Sequence, residues 1–358
     1  KFINHLVKIN SEQKKYIDST PIEIDNFNYI LCVNGFIKNL NINHENEEKI
    51  EIIRYKKNLP DNMDQSLILL NNALHFDYLK IVVKENYKLS RPLVFINLVS
   101  NDIQSTIINL KFDIEMEKNT CLSLLDFNLD KSKNNFININ KNFLLKENAI
   151  LKNYKVNLSK NTNIYYSHEN IDIYKNSISE NFIFSGGSDF FKNEIKCNLI
   201  EEFSSAFVNG IINLNKDQQH EIRSKINHLS ENTKSYQLSK CSLKDKSKAV
   251  YQGKIFVDSL AQKTDGYQLS KAILLDNGTE FNAKPELEIY ADDVKCSHGS
   301  SSGSIDEEAI HYLMTRGIEL RAAKKLLIKG FLNEIFDNIP EEKIRTFLEK
   351  SIAEQIDE

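Results

Sequence analysis

A mainly β chain, built as a solenoid or a sandwich and closed by a helical tail, is the fold class the sequence predicts, and three observations predict it. Short apolar, β-branched segments recur from Leu79 to Ser297, separated by Asn, Lys, Ser and Gly rather than by helical patterns. Tyr236-Gln237-Leu238-Ser239-Lys240 returns as Tyr267-Gln268-Leu269-Ser270-Lys271, with Asp245 and Asp276 in matching places after each copy. Stacked rungs need like residues at like positions, because each rung buries its face only against its neighbours, so this echo points to the solenoid. The last 55 residues change to helical spacing.

The elements follow in chain order. Tyr29-Ile30-Leu31-Cys32-Val33 and Phe36-Ile37-Lys38-Asn39-Leu40 flank Asn34-Gly35, whose two turn positions need positive φ, so a hairpin is expected. Asp61 to Phe76, with Leu67, Leu69, Leu70 and Leu74, reads as a short helix. The strand segments then include Ile81-Val82-Val83, Leu93-Val94-Phe95-Ile96, Ile107-Ile108 and Ile137-Asn138-Ile139. Phe182-Ile183-Phe184, Ile211-Ile212, Ile255-Phe256-Val257 and Ile273-Leu274-Leu275 continue the series. Ser304-Ile305-Asp306-Glu307 has capping-box form and predicts a helix to Arg316 with Gly317 as its stop. A second helix is expected from Glu319 to Asn338, burying Leu320, Ala323, Leu327, Phe331 and Ile335. Pro340 opens a third, with Ile344, Phe347, Leu348 and Ile352 on one face. The expected division is a mixed helical and hairpin region over 1–78, a β core over 79–303 and a helical docking region over 304–358.

Composition narrows the function. A net charge of −4 gives no basic surface for nucleic acid. Lys, Asn and Ile are abundant and Trp is absent, so polar runs such as Lys131-Ser132-Lys133-Asn134-Asn135 are weak signs of disorder here. Five scattered cysteines form no CxxC pair, which suits a reducing compartment. The first residues lack an apolar signal region, and no apolar run reaches the ~20 residues a membrane span requires. A soluble, cytoplasmic protein is expected. Lys1 is no initiator methionine, which admits a start inside a longer chain.

Polar chemistry is densest at Asp292-Asp293-Val294-Lys295-Cys296-Ser297-His298-Gly299. On a strand, Cys296 and His298 share a face, and thiolate beside imidazole suits a soft metal such as iron in a sulfide cluster. Two ligands do not close a four-coordinate site, so others would come from elsewhere. The competing readings are a buried small Cys with a surface His, or a thiol with its base, for which only Asp292 and Asp293 stand near. Gly299, Gly303 and the serines between them make either an anion nest or a turn into the helix. No GxxxxGK[ST] occurs, so ATP hydrolysis is not expected of this chain. The remaining histidines form no HxH or HExxH spacing.

The blocks Gly253-Lys254-Ile255, Ala261-Gln262-Lys263-Thr264-Asp265-Gly266, Lys284-Pro285-Glu286-Leu287-Glu288-Ile289-Tyr290-Ala291 through Gly299, and Asp306-Glu307-Glu308-Ala309 to Gly317 resemble the signature region of the SufB/SufD family of iron–sulfur cluster assembly proteins, on its SufD side. Gly299 stands where SufB carries Glu after the His, and SufB's N-terminal cysteine cluster is missing. Weaker similarity covers Lys14-Lys15-Tyr16-Ile17-Asp18, where Lys replaces the family's Trp, Val33-Asn34-Gly35 and Ser90-Arg91-Pro92-Leu93.

The resemblance implies a right-handed parallel β-helix with helical flanks. It implies a non-catalytic scaffold in a complex with a SufB-like paralogue and a SufC-like ABC ATPase that hydrolyses ATP, no nucleic acid and no membrane. SufB and SufD would pair at their β-helix ends, and helices over about 306–338 would bind SufC. The transient iron–sulfur cluster, shared with SufB, would form at that interface, with His298 contributing and Cys296 beside it. The resemblance leaves flavin binding open. Two rivals stand beside it: a β-solenoid enzyme acting on polysaccharide, and an interaction module with no cluster role.

Overall fold

The computed structural model describes residues 27–55, 65–159, 161–336, 339 and 341–357. The N-terminal motif around Lys14, and residues 61–64 of the expected first helix, lie outside them. From β4 onward, successive strands alternate between two sheets, and every strand pairs in parallel with the strand two places on. One sheet has ten strands, ordered β19-β17-β15-β13-β11-β9-β7-β5-β1-β2, and the other nine, β18-β16-β14-β12-β10-β8-β6-β4-β3. The result is a flattened parallel β-solenoid of about eight turns.

The chain enters through β1 (Asn28–Val33), β2 (Phe36–Asn41) and β3 (Ile50–Tyr55). β1 and β2 form the expected hairpin, with Asn34 at φ 51° and Gly35 at φ 85°. β1 also pairs in parallel with β5 (Leu93–Val99), so the hairpin is the first layer of the ten-stranded sheet. β3 pairs antiparallel with β4 (Tyr78–Val83).

The first helix, α1 (Ser66–Leu74), buries Ile68, Asn71 and Asn72 rather than the leucines. Leu69 and Leu74 are exposed. Asn71 Nδ2 donates to the carbonyls of Leu110 (3.0 Å) and Asn138 (2.8 Å), so the buried face is the one that satisfies open backbone acceptors.

The echo is seen as register. β15 (Lys234–Leu243) pairs with β17 (Thr264–Leu274) so that Tyr236, Gln237, Leu238, Ser239 and Lys240 lie opposite Tyr267, Gln268, Leu269, Ser270 and Lys271. The two tyrosine rings stack at 5.3 Å, and Asp245 N donates to Asp276 Oδ2 at 2.7 Å.

Asparagine marks the corners. Asn86, Asn119, Asn148, Asn176 and Asn232 hold left-handed φ of 56–59° along one edge, where Asn tolerates the conformation better than most residues. Asn148 Nδ2 donates to Asn119 Oδ1 and Asn119 Nδ2 to Asn86 Oδ1, each at 2.8 Å. The polar run 131–135 is such a corner on the opposite edge, with Asn134 at φ 61°.

Inside, β6 (Ile107–Met116), β8 (Phe136–Leu145), β10 (Ile164–Ile173) and β12 (Phe190–Leu199) face β7 (Cys121–Asp130), β9 (Ile150–Asn157), β11 (Ile178–Ser185) and β13 (Ser205–Leu214). Ile and Phe fill most of this axis, but ions cross it. Lys141 Nζ lies 2.5 Å from Asp126 and 5.0 Å from the Phe95 ring, with side chains 0% and 3% exposed. Lys155 Nζ reaches Glu169 at 3.0 Å, Ser167 at 2.6 Å and Asn193 at 2.7 Å.

Outside, α3 (Leu320–Asn333) and α4 (Glu342–Asp357) cover the ten-stranded sheet. Ile328, Leu332, Ile335, Phe336, Ile344 and Leu348 pack on Phe127, Tyr154, Phe182 and Ile211. α3 ends at Asn333, short of the expected Asn338, and Leu320 is exposed while Ile328 and Leu332 are buried. Ala323 and Ile335 are buried as expected, and Lys240 donates to the Phe331 carbonyl (2.6 Å) and pairs with Glu334 at the helix end. Glu341 ties the start of α4 by accepting from Ser123 (2.9 Å), Lys152 (2.8 Å) and Tyr154. α2 (Glu307–Thr315) is capped by Asp306, whose carboxylate accepts from the amides of Glu308 and Ala309. The expected cap, Ser304, is instead the last residue of β19, so the N-cap moves two positions to Asp306 and, with Ala309 three residues on, no capping box closes. Gly317 follows with φ 85° as the stop.

Two outcomes follow from the buried charges. Asp126→Ala leaves the Lys141 ammonium unpaired and should cost about 3–5 kcal/mol, read as a lower urea midpoint; the double change Lys141→Met with Asp126→Leu should recover most of it. Burial lowers the imidazoles of His168 and His220 from 6.5 to about 4 and that of His228 to about 3. These rings are neutral in the folded state, while the unfolded chain takes up protons below 6.5, so stability falls as pH drops from 6.5 toward 4. Each ring should contribute about 3 kcal/mol of that loss, and His228→Gln should flatten the urea midpoint's dependence on pH.

Candidate functional site

The solenoid finishes with β18 (Glu280–Ile289) and β19 (Val294–Ser304), each with a strand neighbour on one side only among the described residues. Register decides which β19 side chains face the axis. In β17, Gly266, Gln268, Ser270 and Ala272 are the buried, inward set, and they lie opposite Cys296, His298, Ser300 and Ser302. The Ser270 hydroxyl donates to Ser300 Oγ at 2.9 Å, which fixes that face directly. Cys296 and His298 therefore share the inner face of the last rung, as their spacing predicts.

Their environments differ. Cys296 is half-buried against Ile255, Val257, Ala261 and Ala291, with Leu287 and Val294 beside it. Burial pushes its thiol up, Asp265 adds to this, and the backbone of Gly266 pulls the other way. His298 is exposed, because no further rung lies above it among the described residues. Asp292 and Asp293 stand in the corner before β19 and are exposed; Asp293 accepts from Lys263 N (2.6 Å) through its carbonyl. Gly299 and Gly303 are strand residues of β19, so neither a nest nor a turn forms there. The expectation fails because parallel pairing with β17 continues through Ser304.

No group of three or more Cys, His, Asp or Glu is gathered for a metal ion among the described residues. The arrangement offers a sulfur and an imidazole at an open end rather than a closed metal cage. Two further histidines lie elsewhere: His220 bonds Ser185 Oγ (2.6 Å) and His228 bonds Thr233 and Ser235 (2.7 and 2.8 Å), inside the solenoid.

Sequence reading missed the residues directly beneath the pair. Gln268, opposite His298, is 1% exposed; its Nε2 donates to the Glu286 carbonyl of the last rung (3.3 Å), and its Oε1 has no partner. Gln237 lies one rung deeper and accepts from Ser224 Oγ (2.5 Å). The repeated Tyr-Gln-Leu-Ser-Lys carried this signal, since an echoed Gln inside a stack implies an echoed inward position.

The fold is thus a parallel β-solenoid whose last rung, uncovered among the described residues, carries a cysteine and a histidine on its inner face. Comparison with known proteins makes the class specific. The family model for the SUF system FeS cluster assembly, SufBD core domain, matches residues 98–331, and the chain belongs to this family. The iron–sulfur cluster assembly protein SufD of Escherichia coli is 23% identical over 350 residues, covering 96% of this chain and 82% of that protein. SufD of Plasmodium falciparum is 26% identical over 309 residues, 84% of this chain but 20% of its own length. An iron–sulfur cluster assembly SufBD family protein of Synechocystis is 36% identical over 104 residues, 23% of its length. The resemblance thus lies on the SufD side, and the chain has a part in iron–sulfur cluster assembly. No helix among the described residues is long and apolar enough to cross a membrane.

The cysteines supply a direct check on burial. Cys32, Cys197 and Cys241 are buried and their thiols pushed up by desolvation. Brief iodoacetamide treatment of the native chain, read by peptide mass, should label Cys296 and Cys121 first and leave those three unlabelled until the protein is denatured.

Proposed function

We propose that this chain is the SufD-type scaffold subunit of a complex with a SufB-like paralogue and a SufC-like ABC ATPase, without catalytic turnover of its own. The observation that carries the reading is the placing of Cys296 and His298 on the inner face of an uncovered last rung, in a chain of this family. Among the described residues the β18 and β19 edges leave a row of backbone N–H and C=O groups free to extend the sheets onto a second solenoid. A SufB-like partner seated there would cover His298 and supply the ligands that two residues lack. The nascent cluster is cargo held between the two proteins, with His298 as a ligand and Cys296 as its neighbour. Region 79–303 serves as the core and 304–358 as the helical domain. Within it, Tyr312, Met314, Leu320 and Leu326 are exposed, and this stretch of 306–338 is the surface offered to SufC. The compartment is the cytoplasm.

Co-expression with the two partners from the same organism should give one stable three-component assembly by size exclusion. His298→Ala should leave that assembly intact and lower the initial rate of cluster formation on the order of 10-fold or more, followed by absorbance as iron and sulfide are supplied. If the chain runs alone, or if His298→Ala forms clusters at the wild-type rate, the reading as a cluster scaffold is wrong and a plain interaction module is left.

A further inference from the structure

The outer face of the nine-stranded sheet pairs lysine with glutamate along much of its length: Lys80 with Glu115 (2.9 Å), Lys192 with Glu194 (3.0 Å) and Lys248 with Glu280 (2.9 Å). One column departs from this pattern. Parallel register sets Lys196 of β12 opposite Lys225 of β14 (Gln219–His228), and Lys225 opposite Lys254 of β16 (Lys248–Val257). The residues before and after each of these lysines are buried toward the axis, so all three side chains stand on the outer face. Neighbouring strands lie about 4.8 Å apart, and like charges directly opposite one another destabilise a sheet.

Nothing nearby neutralises the middle of the column. Lys254 is held by Glu288 (2.5 Å) on the strand beyond it. Among the described residues neither the Lys196 nor the Lys225 ammonium makes an ion pair. Glu194 and Glu221, the carboxylates on their own strands, are taken by Lys192 and Arg223. Asp172, on the strand beside Lys196, accepts from Asn198 (2.6 Å) and Asn170 (3.2 Å). Partial burial lowers the Lys225 ammonium below its ordinary value, Lys254 and Lys196 lower it further, and Glu288 pulls the other way. Burial lowers Lys155 too, but that side chain is sealed inside the solenoid, whereas Lys225 is exposed. A lysine beside other cations keeps more of its amine neutral, and the neutral amine is the nucleophile.

We propose that Lys225 is an acylation site of this chain, its amine taking the acyl group of an acyl phosphate. The nitrogen lone pair adds to the carbonyl carbon, the bond from that carbon to the phosphate oxygen breaks, phosphate leaves with the electron pair, and the nitrogen sheds a proton to water. Lys196 and Lys254 bracket the amine with positive charge, which attracts an anionic donor and stabilises the departing phosphate. The amide product is uncharged, so the modification removes the middle charge of the column.

Brief treatment of the native full chain with acetyl phosphate at neutral pH, read by peptide mass, tests this. Lys225 should be acetylated several-fold faster than Lys284, whose side chain is 70% exposed but paired with Glu286. Lys196→Gln with Lys254→Gln should bring Lys225 down to the rate of Lys284. Lys196→Arg with Lys254→Arg, which keeps both charges, should hold the wild-type rate. With acetic anhydride, an uncharged donor, the preference for Lys225 should shrink. Acetylation of Lys284 by acetyl phosphate as fast as that of Lys225 overturns the proposal, as does equal reactivity of Lys225 in the paired Gln and paired Arg variants. An equal preference with both reagents overturns the acyl phosphate as the donor.

Discussion

In-register parallel pairing is the constraint on which the rest of this molecule depends. Each inward side chain lies over its counterpart one rung away, so a slip of one residue in any strand would turn its whole inner set to solvent. The buried ions make such a slip expensive. Lys141 meets Asp126 and Lys155 meets Glu169 across an axis otherwise filled by Ile, Leu and Phe. An apolar stack tolerates rearrangement, whereas an ammonium displaced from its carboxylate inside the stack has no alternative partner. The contribution of these pairs is therefore to specificity of register more than to net stability.

The same constraint explains why the two faces of the molecule read so differently in sequence. β12 and β16 (Lys248–Val257) alternate buried and half-buried positions, because the outer face of the nine-stranded sheet meets water. β9, β11 and β15 carry runs of buried residues, because α3 and α4 cover their outer face. The helical tail is thus a third layer of the fold before it is anything else. Its bonds to Lys240 and through Glu341 bind its movements to the strands beneath.

Much of this was legible beforehand and the remainder was hidden for identifiable reasons. The hairpin at Asn34-Gly35 could be read because two consecutive positive-φ residues have few alternatives. The pentapeptide echo could be read because stacking repeats chemistry at fixed register. Strands such as β10, with Ser167 and Glu169 facing the axis at its centre, and β14 (Gln219–His228), with His220 and Ser224, are not legible as strands, because polar inward residues break the apolar pattern by which strands are recognised. The face of α1 differs from the leucine-rich one because Asn71, a polar anchor, is what the sheet beneath it binds, whereas along α3 and just past its end Ala323 and Ile335 are buried as the spacing predicts and Leu320 alone of that face stands exposed. The Cys296–His298 pair was legible as a spacing. That it faces the axis is a property of β17 beneath it, which no local motif contains.

An inward-facing side chain left open on a terminal rung is a consequence of how solenoids end. Interior positions are normally protected because another rung covers them, and that protection excludes both water and partners. At β19 the covering rung is missing among the described residues, so His298 keeps an interior orientation while remaining open to a second molecule. The Ser300–Ser270 bond and the Gln268 carboxamide show that the rung below still reaches up to this layer. A partner adding a further rung would then not create a site on a flat surface. It would close one whose floor, from Gly253 to Gln268, is already set by the register of the strands beneath.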